Sequence, residues 1–157
     1  MAKKKNRNPY KPKNIELKGA PSKFYYEYDM FIMATEANSK LRHDHPDIQS
    51  MINNVTLESL LVHARNLLDF FCGNTTDADD IRAFHFIPGS PPWRSSKLSY
   101  LSSLKKDINK YLSHLTYSRV IKKKPNWNWG RIRKEVEAAH EEFIKKLPDS
   151  EKANWRA

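Results

Sequence analysis

Residues 98–119, LSYLSSLKKDINKYLSHLTYSR, set Leu98, Leu101, Leu104, Ile108, Tyr111, Leu112 and Leu115 at alternating threes and fours. That spacing gives a helix one continuous apolar face, which needs other helices to cover it. The last turns of the same stretch collect Asn109, His114, Thr116, Tyr117 and Arg119, more hydrogen-bonding chemistry than helix formation requires. The stretch therefore argues for an all-α fold and marks where function is expected.

Working outward, the same pattern recurs. Leu57, Leu60, Leu61, Ala64, Leu67, Leu68 and Phe71 form a stripe in a helix expected from about Asp47 to Cys72, with Gly73 as its C-cap. Phe24, Tyr25, Tyr28, Phe31 and Ile32 predict a first helix capped by Ser22 and ending near Arg42. Ile132, Val136, Ala139 and Phe143 predict a last helix over 130–147, ended by Pro148. The third helix is expected to start near Ser95 or Ser96. Residues 73–93 read as one long loop, with a turn or two of helix after an Asp77 cap. No alternating β-branched run argues for a sheet. The expected architecture is a four-helix antiparallel bundle over residues 22–147, with a disordered basic arm over 1–21 and a C-terminal tail over 148–157.

Charge sharpens the division. The chain of 157 residues carries a formal +10, and its first 23 residues hold eight Lys and Arg against Glu16 alone. Most of the positive charge thus belongs to the arm rather than to the body. Cys72 is the single cysteine, which excludes an intramolecular disulfide and fits a reduced compartment. No apolar run approaches the length of a membrane span or a secretory signal, so a cytoplasmic protein with no membrane partner is expected. Glycine-rich phosphate loops, Gly-x-Ser-x-Gly and paired-cysteine zinc signatures are missing from the sequence, and no cofactor is expected. His43 and His45 with Asp44 and Asp47 have the content of a metal cluster. A helix starting at Pro46 would splay them, so no metal is assigned.

Two binding elements stand out. Lys122–Lys134, KKKPNWNWGRIRK, combines Lys122, Lys123, Lys124, Arg131 and Arg133 with Trp127 and Trp129. Cations neutralise phosphates and indoles stack on bases, a composition suited to single-stranded nucleic acid. The same indoles before a helix also suit sealing the bundle end. The arm adds Lys3, Lys4, Lys5 and Arg7, equally suited to RNA contact or to solubility. Arg65 and Asp69 form an i,i+4 pair on the second helix, with Arg65 also a candidate for holding an anion. Asn109 and His114 point roughly 140° apart on one helix, so a joint role needs a neighbouring helix or a second subunit.

The bundle with ARNLLDFF at Ala64–Phe71 and INKYLSHLTYSR at Ile108–Arg119 resembles the HEPN superfamily, prokaryotic helical domains that include RNA-cleaving toxins and phage-defence proteins. Its ribonucleases use an Arg, commonly followed by a polar residue, with four to six residues between the Arg and a His, usually across a dimer interface. Here Asn109 and His114 match the polar residue and the His, while Ile108 stands where the Arg is expected. The resemblance implies a homodimer or partner-bound protein that binds or cleaves RNA without metal. His114 would then act as general acid/base, with Asn109, and with Arg119 or Arg65 stabilising the phosphorane charge. Arg133 and His140 also satisfy the spacing literally, with Lys134 after the Arg. Two other readings remain open: a non-catalytic nucleic-acid-binding module, and a helical module that docks a protein.

Overall fold

The computed structural model describes residues 11–73, 79–113, 125 and 127–155. Within them the chain forms α1 (Asn14–Lys40), α2 (Pro46–Cys72), a single 3-10 turn (Ala83–His85), α3 (Ser99–Ser113), α4 (Trp129–Lys146) and a short α5 (Asp149–Lys152). No strand occurs among the described residues, and the four long helices make the expected all-α bundle. None of the described helices is long and apolar enough to cross a membrane.

α1 and α2 form an antiparallel hairpin. Its register is fixed where Glu27 meets His63 and Asn66, and where Asn38 meets Thr56. α3 and α4 pack against the inner face of α2, the side carrying Leu57, Leu60, Leu61, Ala64, Leu67, Leu68 and Phe71, all buried. The apolar stripes expected of the last two helices are in the core: Leu98, Leu101 and Ile108 from the third, Ile132, Val136, Ala139 and Phe143 from the fourth. Leu115 lies outside the described residues.

The third helix starts at Ser99, later than Ser95, because its first N–H groups are capped from another helix. A helix start leaves four donors without partners. The Glu135 carboxylate of α4 takes those of Tyr100 and Leu101, each at 3.0 Å. Ser95 is held instead in the preceding loop, its hydroxyl donating to Glu142 Oε2 at 2.6 Å. Two carboxylates two turns apart on one face of α4 thus set where α3 begins.

Two expectations are corrected. The basic segment read as an arm up to residue 21 is helical from Asn14, eight residues before Ser22. Glu16 caps this start by accepting the Lys13 backbone N–H at 2.6 Å. Leu17, Ala20 and Pro21 continue the buried face of Phe24 backwards by two turns, beside Ile81, His85 and Phe86. The second correction concerns the tail. Pro148 ends α4 but starts α5, which delivers Trp155 into the core at 1% exposure. Its ring lies 4.7 Å from Phe143, 4.8 Å from Phe86 and 5.4 Å from Phe24. The Tyr25 hydroxyl donates to the Trp155 carbonyl, so α1 clasps the end of the described chain.

The loop after α2 is anchored by one buried side chain. Arg82, 4% exposed, donates from Nη1 to the Asp69 carbonyl at 2.5 Å and pairs with the Asp80 carboxylate. A cation on the last-turn carbonyls of a helix satisfies the acceptors and the negative end of its dipole together. Gly73 is the C-cap as expected, yet with φ −61° it is not left-handed. It is glycine because a Cβ there would collide with the Asp69 carbonyl and the Arg82 guanidinium. The 3-10 turn follows at Ala83; Asp77 lies outside the described residues.

Candidate nucleic-acid interface

Where α4 begins, its lead-in segment folds back over the end of the α1–α2 hairpin. Asn128 is the N-cap, its side chain accepting the Arg131 N–H at 3.0 Å. This fixes the two flanking indoles. Trp127 and Trp129 stack with centroids 5.8 Å apart and planes 23° from parallel. Trp127 is 6% exposed and meets Tyr111 edge-on, whereas Trp129 is only partly buried. The two readings of this pair therefore divide by residue: Trp127 seals the bundle, and Trp129 rests on it at the surface.

The indoles form one wall of a cleft of about 520 Å³. Its other wall comes from the α1–α2 connection, with Asn38, Arg42, Gln49 and Asn53. The amide orientations there are determined by a relay. The His43 backbone N–H can only donate, so Gln49 Oε1 accepts it at 2.7 Å; Gln49 Nε2 then donates to Asn53 Oδ1 at 2.8 Å. Asn53 is left with its NH2 as the outgoing group. Arg42 caps α1 through the Leu41 and Asn38 carbonyls at 2.7 and 3.3 Å. The cleft thus combines an aromatic platform with hydrogen-bond donors.

The other expected contacts are distributed differently. Arg131 lies 4.4 Å over the Tyr100 ring and 3.6 Å from Glu135. Arg133 Nε donates to Glu137 at 2.8 Å, with Glu36 at 3.8 Å. Both arginines are engaged in holding helices together. Lys3, Lys4, Lys5, Arg7, Lys122, Lys123 and Lys124 lie outside the described residues, as do His114 and Arg119. Of the catalytic set, Asn109 carries a buried Oδ1 with no partner. Arg65 lies 3.9 Å from Asp69, which also takes Lys105 at 2.5 Å. Arg65 borders a second groove of about 380 Å³ beside Lys23, Tyr26, Glu27 and Asn66, on the other end of the hairpin from the indoles.

Arg133 and His140, the literal match to the spacing, both neighbour Tyr28, but Arg133 is paired with Glu137 while His140 is packed among rings. His140 packs into an aromatic cage, 4.6 Å from Tyr28 and 5.5 Å from Phe24. Burial pushes its pKa down, against a smaller opposing pull from Glu141. Burial likewise pushes the Cys72 thiol up, partly offset by Arg94, which fits a packing role. His43 Nδ1 accepts the His45 backbone N–H at 3.0 Å, and no group of three metal-ligating side chains occurs among the described residues.

One polar cluster escapes sequence reading. His63, 8% exposed, has Nδ1 2.7 Å from Glu27 Oε2, and Asn66 donates to the same oxygen at 2.9 Å. Glu27 is 36 residues away in sequence, so only the hairpin register could have revealed the pairing. No protein-family model, curated protein or solved structure matches this chain.

Proposed function

We propose that the protein binds single-stranded RNA, docking a base on Trp129 in the cleft between the α4 lead-in and the α1–α2 connection. The observation that carries this reading is the stacked Trp127–Trp129 pair facing Asn53 and Arg42 across one cleft. Unpaired bases are held by stacking on aromatic rings and by hydrogen bonds to their edges. Trp127, buried beneath, keeps Trp129 in place without an entropy cost at each binding event. The lysines of the N-terminal segment and of 122–124 supply phosphate neutralisation in this reading. The HEPN resemblance supports the same substrate and a prokaryotic defence or stress setting. The proposed role is binding; cleavage would require His114 with Asn109, and with Arg119 or Arg65.

The test is a fluorescence-anisotropy titration of the full chain with labelled oligouridine. Affinity is expected to fall steeply with salt. Trp129→Ala should weaken it by about 1–3 kcal/mol, the usual contribution of one stacked base. Arg133→Ala should leave it nearly unchanged. Absence of binding by the wild-type chain sinks the reading, and metal-independent RNA cleavage abolished by His114→Ala would replace it with the catalytic one.

A further inference from the structure

The α1–α2 hairpin carries an apolar surface on the side away from the core. On α2, Met51, Val55 and Val62 are 59%, 61% and 40% exposed, and Ile48 extends the series at 37%. At about 100° per residue these four positions fall within roughly 60° of one another, opposite Leu60 and Ala64. On α1, Tyr26 and Met33 are 58% and 64% exposed, one heptad apart and opposite Phe24 and Phe31. The register that joins Glu27 to His63 and Asn38 to Thr56 places Met33 level with about Ser59, between Val55 and Val62. Both stripes lie on the same side of the hairpin seam, so they merge into one two-helix face. α3 and α4 pack on the opposite side of α2, and nothing among the described residues covers this one.

We infer that this face is where two copies of the chain associate. Its size supports the assignment. At about 150–200 Å² for a fully exposed large side chain, the exposures of Tyr26, Met33, Met51, Val55 and Val62 sum to on the order of 500 Å². That is near the upper limit for the largest apolar patch of a soluble monomer. With its polar rim it approaches the roughly 800 Å² per partner of a standard stable interface. Its shape selects the partner. A two-helix antiparallel hairpin presenting matched stripes is self-complementary about a two-fold axis, as an isologous interface requires. Docked this way, the two hairpins complete a second four-helix layer between the subunits, with each α3–α4 pair outside. Each dimer would carry two indole clefts. This inference rests on the hairpin surface alone and is independent of the RNA-binding proposal.

Sedimentation equilibrium of the full chain decides it. The expected mass is twice the 18.4 kDa of one chain. Met33→Glu combined with Val55→Glu should return the mass to that of one chain, with helical circular dichroism unchanged, because neither side chain enters the core. Val62→Lys provides a second disruption. Ile81→Glu, at a site as exposed as Val62 but on the loop before the 3-10 turn, should remain dimeric. A wild-type monomer at hundreds of micromolar overturns the inference, as does a dimer that survives both patch variants.

Discussion

His140 has two opposing features in one side chain. Its ring fills an aromatic cage, and its buried Nε2 has no hydrogen-bond partner, so the neutral form suits the site and the charged form does not. The folded-state pKa is therefore lowered, and the unfolded chain binds more protons over the same range. His85, lowered by burial and by Arg82, acts in the same direction. Stability from such groups is complete above the ordinary histidine value and declines as pH falls through the depressed one. Thermal melts should accordingly drop in midpoint from about pH 7 to about pH 5, the range in which histidine charges. His140→Phe should flatten that drop, and an unchanged slope in the variant would assign it elsewhere. Gly73 has a different constraint, the Asp69 carbonyl and the Arg82 guanidinium both standing where a Cβ would be. Gly73→Ala should cost about 1–3 kcal/mol in urea unfolding, the range for forcing a methyl into filled space. A neutral result would mean that the Asp69 carbonyl and Arg82 both yield to the added methyl at no cost.

Helices were legible where their stripes were unbroken. Leu57–Phe71, Leu98–Ile108 and Ile132–Phe143 are read correctly because an apolar side chain recurs at every third or fourth position. The first helix was legible only from Ser22, since Lys13, Lys18, Gly19 and Pro21 carry the composition of a linker. Tertiary packing overrides that composition: Leu17 and Ala20 find a covering surface in Ile81–Phe86, which sequence alone does not place nearby. The start of α3 was hidden for the same reason, its cap being Glu135. In the candidate site, Trp127 and Trp129 could be singled out by type, but the partner wall of Gln49 and Asn53 belongs to a helix some seventy residues earlier. The extended α1 has a direct test in Gly19, which sits inside the helix with open space around its Cα. Gly19→Ala should raise stability by about 0.5–1 kcal/mol, measured by chemical denaturation, through the smaller entropy of the unfolded chain. No gain would return this segment to the status of an arm.

At the scale of the molecule, Trp155 is the residue on which the separate helices converge. Phe24, Phe70, Phe86 and Phe143 all meet its ring, so it joins α1, α2, the loop and α4 at one point. Trp155→Ala should cost about 3–5 kcal/mol, as large-to-small changes in a filled core do. Trp155→Phe should cost much less, because it keeps an aromatic ring and removes a buried indole N–H that has no partner. Denaturant melts separate the two variants; equal losses would show that the indole volume itself is what the core requires. The clasp between Tyr25 and Trp155 closes over 130 residues of chain. A bundle of helices ordinarily folds fast because its contacts are close in sequence, whereas closure of a long loop must be completed before such a contact rewards it. The clasp can therefore contribute only once the helices between Tyr25 and Trp155 have been gathered, which ties the hold on the last described turn to the assembly of the whole bundle.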